Sequence, residues 1–153
     1  MMMIKAIFEN VKKKVQPNML AMSIGVVYLW FGSLKFFPSL SPAEGLAINT
    51  IRELTFGILP DSLSIFLLAI MEVCIGVFLL FNIWRRTTTM VALFHMALTF
   101  APLLLFPSES FQDAPLVPTL LGQYIGKNLI IVAALLTIMQ KRSFTTTIIK
   151  NKS

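Results

Sequence analysis

A chain of 153 residues that is 56% hydrophobic and only 13% charged, with a mean hydropathy of +0.79, is too apolar for a soluble domain of this length. Its net charge of +6 and pI near 9.8 do not call for nucleic acid, because the cations flank apolar runs and attraction to anionic lipid accounts for them. A single cysteine, Cys74, excludes an internal disulfide and any Cys-x-x-Cys redox pair, and it reads as a small residue buried in a helix.

Residues 1–18 place Ile4, Phe8, Val11 and Val15 at helical spacing beside Lys5, Lys12, Lys13 and Lys14, the pattern of a short helix lying on the inner membrane surface. No small-residue cleavage site follows the first apolar run, so that run is expected to be a retained anchor. Four apolar runs then follow, at 19–37, 63–84, 87–106 and 116–140. Each is near the roughly 20 residues a helix needs to cross about 30 Å of hydrocarbon.

The connections differ in kind. Ser41-Pro42-Ala43-Glu44 offers a capping serine, a proline at the first helical position and a glutamate three after the cap, which predicts an amphipathic helix over 41–56 ended by Gly57. Ala43, Ala47, Ile51 and Leu54 form its apolar face. The second and third runs are joined by little more than Arg85 and Arg86, which requires a tight antiparallel turn. The connection FPSESFQDAPLVPTL, with prolines at 107, 115 and 118, is too apolar to be wholly solvated and is expected to fold back over the same mouth as the 41–56 helix. Residues 141–153 form a basic tail.

Lysine and arginine stay on the cytoplasmic side during insertion. Lys5, Lys12, Lys13, Lys14, Arg85, Arg86, Lys141, Arg142, Lys150 and Lys152 then share one side, and only Lys35 and Arg52 lie on the other. The expected fold is all-α: an integral membrane four-helix bundle, a single membrane domain, with both termini cytoplasmic and the 41–56 helix outside.

Counting depth along the runs brings three ionisable groups to one level. Lys127 is about ten residues into its helix, roughly 15 Å at 1.5 Å per residue, and Glu72 and His95 are about as deep in theirs. A charge facing lipid at that depth costs at least about 2.5 to 3.5 kcal/mol, so each should face the interior and find a partner, with Glu72 and Lys127 as the pair of opposite sign. Gln123 lies one turn outward of Lys127, Thr99 one turn outward of His95, and Lys35 nearer the outer boundary. Polar residues between membrane helices often serve only as hydrogen-bonding contacts worth about 0.6 kcal/mol, and for Gln123, Tyr124, Asn128 and Thr99 taken singly that is the stronger reading. For Glu72, His95 and Lys127 together, a pocket is favoured, since no structural need puts three titratable groups at one level. Trp30, Trp84, Phe36 and Phe37 read as interfacial anchors, with Trp30 also a candidate for the pocket wall. Gly122 and Gly126 read as close-packing positions. No metal-ligand spacing, phosphate loop or nucleophilic triad is present in the sequence.

The stretch "YLWFGSLKFFP" closing the first run, the glutamate in "AIMEVCIGVFLLF", the arginine turn, the histidine of the third run and the lysine of the fourth resemble the DoxX-like group of small four-helix membrane proteins, over about Met19 to Met139. That resemblance implies a multi-pass protein of the bacterial inner membrane. Members are associated with quinone-linked oxidation of sulfur compounds and with oxidative-stress complexes. It therefore implies a redox-associated subunit or small enzyme with a quinone as ligand, other subunits as partners, and Lys35, Glu72, His95 and Lys127 as site positions. The lack of cysteine pairs argues against a thiol relay. A non-catalytic scaffold or lipid-binding accessory subunit is the alternative; a proton-coupled transporter is weaker, since no inverted repeat or broken helix is visible.

Overall fold

The computed structural model describes residues 19–37, 40–41, 43–113 and 117–150, with side chains as far as 140. The expected surface helix over 1–18 and the last three residues of the tail lie outside the described residues. The chain is mostly helical. Asp61–Leu80, Arg85–Leu105 and Leu120–Gln140 are long and apolar enough to cross a membrane, and Met19–Leu34, α1, is a shorter apolar helix.

After α1 come α2 (Glu44–Leu54), α3 (Asp61–Leu80), α4 (Arg85–Thr99), the single turns α5 (Pro102–Leu105) and α6 (Pro107–Ser110), strands β1 (Phe111–Asp113) and β2 (Val117–Pro118), then α7 (Leu120–Gly126) and α8 (Asn128–Lys150). The strands form an antiparallel ribbon with Phe111 opposite Pro118, a departure from the all-α expectation. Several boundaries also move. The capping box at Ser41 does not form: the cap position is Ala43, without a side-chain hydrogen bond, and the helix starts at Glu44. Its other end closes as expected of a glycine stop, with Gly57 at φ +73 donating to the Arg52 carbonyl at 2.8 Å. The third run breaks after Thr99 because Pro102 has no N–H to continue the ladder. The fourth run starts at Leu120, tightens at Lys127 and continues as backbone helix to Lys150, so much of the expected tail is helical.

Ala21, Ile24 and Tyr28 of α1, Ile75 and Leu79 of α3, Ala92 and Met96 of α4, and Leu135 and Ile138 of α8 meet in one core. Close approach of α1 to α3 depends on glycines. A Cβ at Gly25 would lie 2.9 Å from the Gly76 carbonyl, one at Gly76 2.8 Å from the Leu29 backbone nitrogen, and one at Gly32 2.9 Å from Glu72 Cβ. Gly122 also packs closely, against the Ser110 carbonyl, whereas Gly126 faces open space and is no packing position. The outward faces are apolar too: Phe66 and Ile70 of α3, Phe94 of α4, and Leu129 and Ile130 of α8 are exposed. Cys74, expected buried, is exposed among them.

Candidate functional site

Glu72 is buried at mid-α3, and its two carboxylate oxygens are divided between two helices. Oε2 accepts from Lys35 Nζ at 2.6 Å, and Oε1 lies 3.4 Å from His95 Nε2 on α4. On the far side of the imidazole, Nδ1 is 3.0 Å from the Tyr28 hydroxyl, which is also 3.3 Å from the Ala92 carbonyl. Four titratable side chains therefore form one chain of contacts, Lys35 to Glu72 to His95 to Tyr28. In the neutral ring a proton on Nε2 faces the carboxylate and leaves Nδ1 to accept from Tyr28; in the doubly protonated ring Nε2–H still faces the carboxylate and Nδ1–H donates to the Tyr28 oxygen, while Tyr28 donates to Ala92. The same heavy-atom positions accommodate both arrangements, which is what a proton relay requires.

Local structure fixes these groups. Tyr28 and Lys35 are seven residues apart, two turns of the same α1 face, with Phe31 between them. Gly32, on the adjoining position, lets that face approach Glu72. Lys35 lies just beyond the last residue of α1 and its side chain folds back, with Nζ 3.5 Å from the Phe31 carbonyl. All four groups line a cavity of about 380 Å³, within the range of small-molecule pockets. Its walls are mostly apolar, from Leu67, Leu68 and Met71 of α3 to Leu98 of α4 and Ile131 of α8. Helix α2 covers it with Leu46, Ala47, Thr50, Ile51 and Leu54. That helix is tied down by its packing on α3 and α5 and by the Arg52–Asp61 ion pair, with Arg52 Nε 3.2 Å from Asp61 Oδ1. The hydrogen bond to Asp61, and then its charge, holds the Arg52 guanidinium even more firmly protonated than usual.

The sequence-derived site is redistributed by this geometry. Lys35, Glu72, His95, Thr99, Tyr124 and Asn128 line the cavity together. Lys127 does not: it is exposed, and the cation on Glu72 is Lys35. Gln123, one turn from Lys127, is exposed as well, and Trp30 is 67% exposed on the outer face of α1, away from the cavity wall. Counting residues along a helix gives depth but not rotation, and these three point outward. Tyr28, the end of this chain of contacts, is missed by depth counting, although its three-, four- and seven-residue spacing to Phe31, Gly32 and Lys35 is a readable signal. Among the described residues no group of three His, Cys, Asp or Glu could hold a metal. In comparison with known proteins, no family model, curated protein or solved structure matches the chain.

Proposed function

We propose that this chain is a multi-pass membrane protein in which α1, α3, α4 and the α7–α8 run form a four-helix bundle, and that the cavity binds an apolar ligand whose oxygen function exchanges protons with the relay. The exposed apolar residues on every long helix support embedding, since a soluble helix turns its polar face outward. Arg85 and Arg86 open α4, the positive end of its dipole, where cations are disfavoured. A cytoplasmic anchoring role accounts for that placement, and it puts both termini inside and α2 outside.

The observation that carries the functional reading is the Lys35–Glu72–His95–Tyr28 chain on the wall of a mostly apolar 380 Å³ cavity. A quinone fits such a site: its ring suits the apolar walls, and its oxygens suit a lysine, a histidine and a phenol. When bound, it would supply two-electron, two-proton chemistry, with the electrons coming from a partner subunit. Lys35 fixes the Glu72 charge, Glu72 orients and polarises His95, and His95 passes protons between that carboxylate and Tyr28. The DoxX-like features of the sequence point to the same redox-associated role.

The test is ubiquinone binding by the full chain in nanodiscs, measured by calorimetry against empty discs. Native protein is expected to bind; Glu72→Gln with Lys35→Met, which removes both charges together, is expected to fold and to lose binding. A second reading, a non-catalytic scaffold, is favoured by one observation: among the described residues no buried side-chain nitrogen or oxygen lacks a partner. Under it the double variant keeps all function and the native chain binds nothing. Topology is tested by cysteine labelling in a Cys74→Ser background at Asp113 and Ser143. Asp113 is the outer probe because it is exposed.

A further inference from the structure

The cavity has a second polar group, and its hydrogen bonding is incomplete. Thr99 donates to the Met96 carbonyl at 2.7 Å and accepts weakly from Asn128 Nδ2 at 3.5 Å. Asn128 keeps its carbonyl and its other N–H. The Tyr124 hydroxyl has no hydrogen-bond partner among the described residues, although its ring is held edge-on by Phe31, centroids 5.7 Å apart at 77°. Tyr124 and Asn128 are four residues apart and both line the cavity, so they share one face of the α7–α8 run. Tyr124 is half-buried, and its hydroxyl, positioned by the ring on a mostly apolar wall, is free to donate to a molecule in the cavity.

The contrast with the relay is chemical. There, each titratable group already has a partner in the chain. Around Tyr124 two donors stay open, one O–H and one amide N–H, beside the Asn128 carbonyl. We propose, building on the ligand-binding reading above, that the cavity recognises its ligand at two ends. One oxygen meets the relay, and a second, hydrogen-bond-accepting oxygen across the ring meets Tyr124 and Asn128. The ligand class is a flat, apolar ring bearing an exchangeable hydroxyl or carbonyl at one end and a carbonyl-type acceptor at the other. Phe31 joins the two walls, since it lies on the α1 face of Tyr28 and Lys35 and touches Tyr124.

Two matched probes separate this idea from simple apolar capture. Heptyl 4-hydroxybenzoate has a phenol at one end of its ring and an ester carbonyl at the other; 4-octylphenol has a similar tail and no carbonyl. The full chain in nanodiscs is titrated with each by calorimetry, with empty discs subtracted. Native protein is expected to prefer the ester by about fivefold, the worth of one to two net hydrogen bonds. Tyr124→Phe should bring that ratio close to one without changing alkylphenol affinity, and Asn128→Leu should lower it independently. Glu72→Gln with Lys35→Met, the pair expected to fold, should weaken both probes and leave the ratio in place. Equal affinity of the native chain for both probes, or a ratio unmoved in both variants, overturns two-ended recognition while the ligand-binding reading stands. No binding of either probe above empty discs overturns both.

Discussion

Two lysines lie in or beside the apolar helices of this chain, and their environments are opposite. Lys35, just past α1, has a side chain only 11% exposed and is joined to Glu72; Lys127, between α7 and α8, is exposed and touches no acid among the described residues. Their sequence contexts are alike, a cation flanked by aromatic and apolar residues. What separates them is rotation about the helix axis, since Lys35 is on the cavity face of its helix and Lys127 is not, and helix direction adds to it. Side chains on a helix lean toward its N-terminus. α1 runs toward the α2-bearing end of the molecule, so Lys35 leans back into the interior, toward Phe31 and Glu72. The α7–α8 run starts at that end, so Lys127 leans away from the interior and toward the rim. The face a cation occupies decides whether it can reach Glu72, and the direction of its helix decides toward which end it leans.

The comparison is broken most severely at Glu72. Removing its charge alone leaves Lys35 buried without an anion, and Glu72→Gln is expected to cost about 3 to 5 kcal/mol of stability in detergent-solubilised protein. Adding Lys35→Met should return most of it. Adding Lys127→Met instead should return nothing, and this pair of double variants, compared by chemical denaturation, decides which lysine is the partner.

Gly32→Ala comes next. The new Cβ would lie 2.9 Å from Glu72 Cβ and 3.1 Å from the Val73 backbone nitrogen, and backbone cannot step aside. A loss of about 1 to 3 kcal/mol is expected, together with weakened Lys35–Glu72 contact, because the helix bearing Lys35 must move away. Gly126→Ala, facing open space, should be neutral or slightly stabilising through better helix propensity. A neutral Gly32→Ala would show that α1 and α3 are not held this closely.

These glycines mark what could be read in the sequence. The apolar runs, the turn near Arg85 and the α2 helix follow from composition and periodicity, which report burial and length directly. Glu72 and His95 could be brought together because each is the lone ionisable residue deep in its run. Residue counting puts the Lys35 Cα near the outer boundary, where it lies, but a lysine acts several ångströms from its Cα, and Nζ reaches Glu72. Depth alone puts Lys127 inside, because depth says nothing of rotation about the helix axis. The break before Pro102 has a local cause that the sequence carries, whereas the β1–β2 ribbon and the buried Ser110 depend on packing between segments that share no period.

Tyr28→Phe removes the far end of the relay and keeps the ring. His95 Nδ1 then loses its partner, and a cost of about 1 kcal/mol is expected, with thermal unfolding as the measurement. Under the proposed function, proton exchange with the ligand should fall much more than ligand affinity does. Equal falls in both would make Tyr28 a packing residue only.

The smallest effect is expected at Lys127, and it sharpens the comparison most. In the proposed membrane bundle, a lysine about seven residues from the start of its apolar run is roughly 10 Å deep, and its flexible stem can carry the ammonium most of the way to the interface. Lys127→Leu should therefore change stability by no more than about 0.5 kcal/mol, with the sign set by the removal of a charge from an apolar face. Denaturation of the native and variant chains in the same detergent measures this. A loss above about 1 kcal/mol would mean that Lys127 has an anionic partner, and the contrast with Lys35 would collapse. A stable variant that no longer co-purifies with a membrane protein bound by the native chain would instead place that partner's acid on the Lys127 face, where Gln123 and the open surface at Gly126 leave room for another helix.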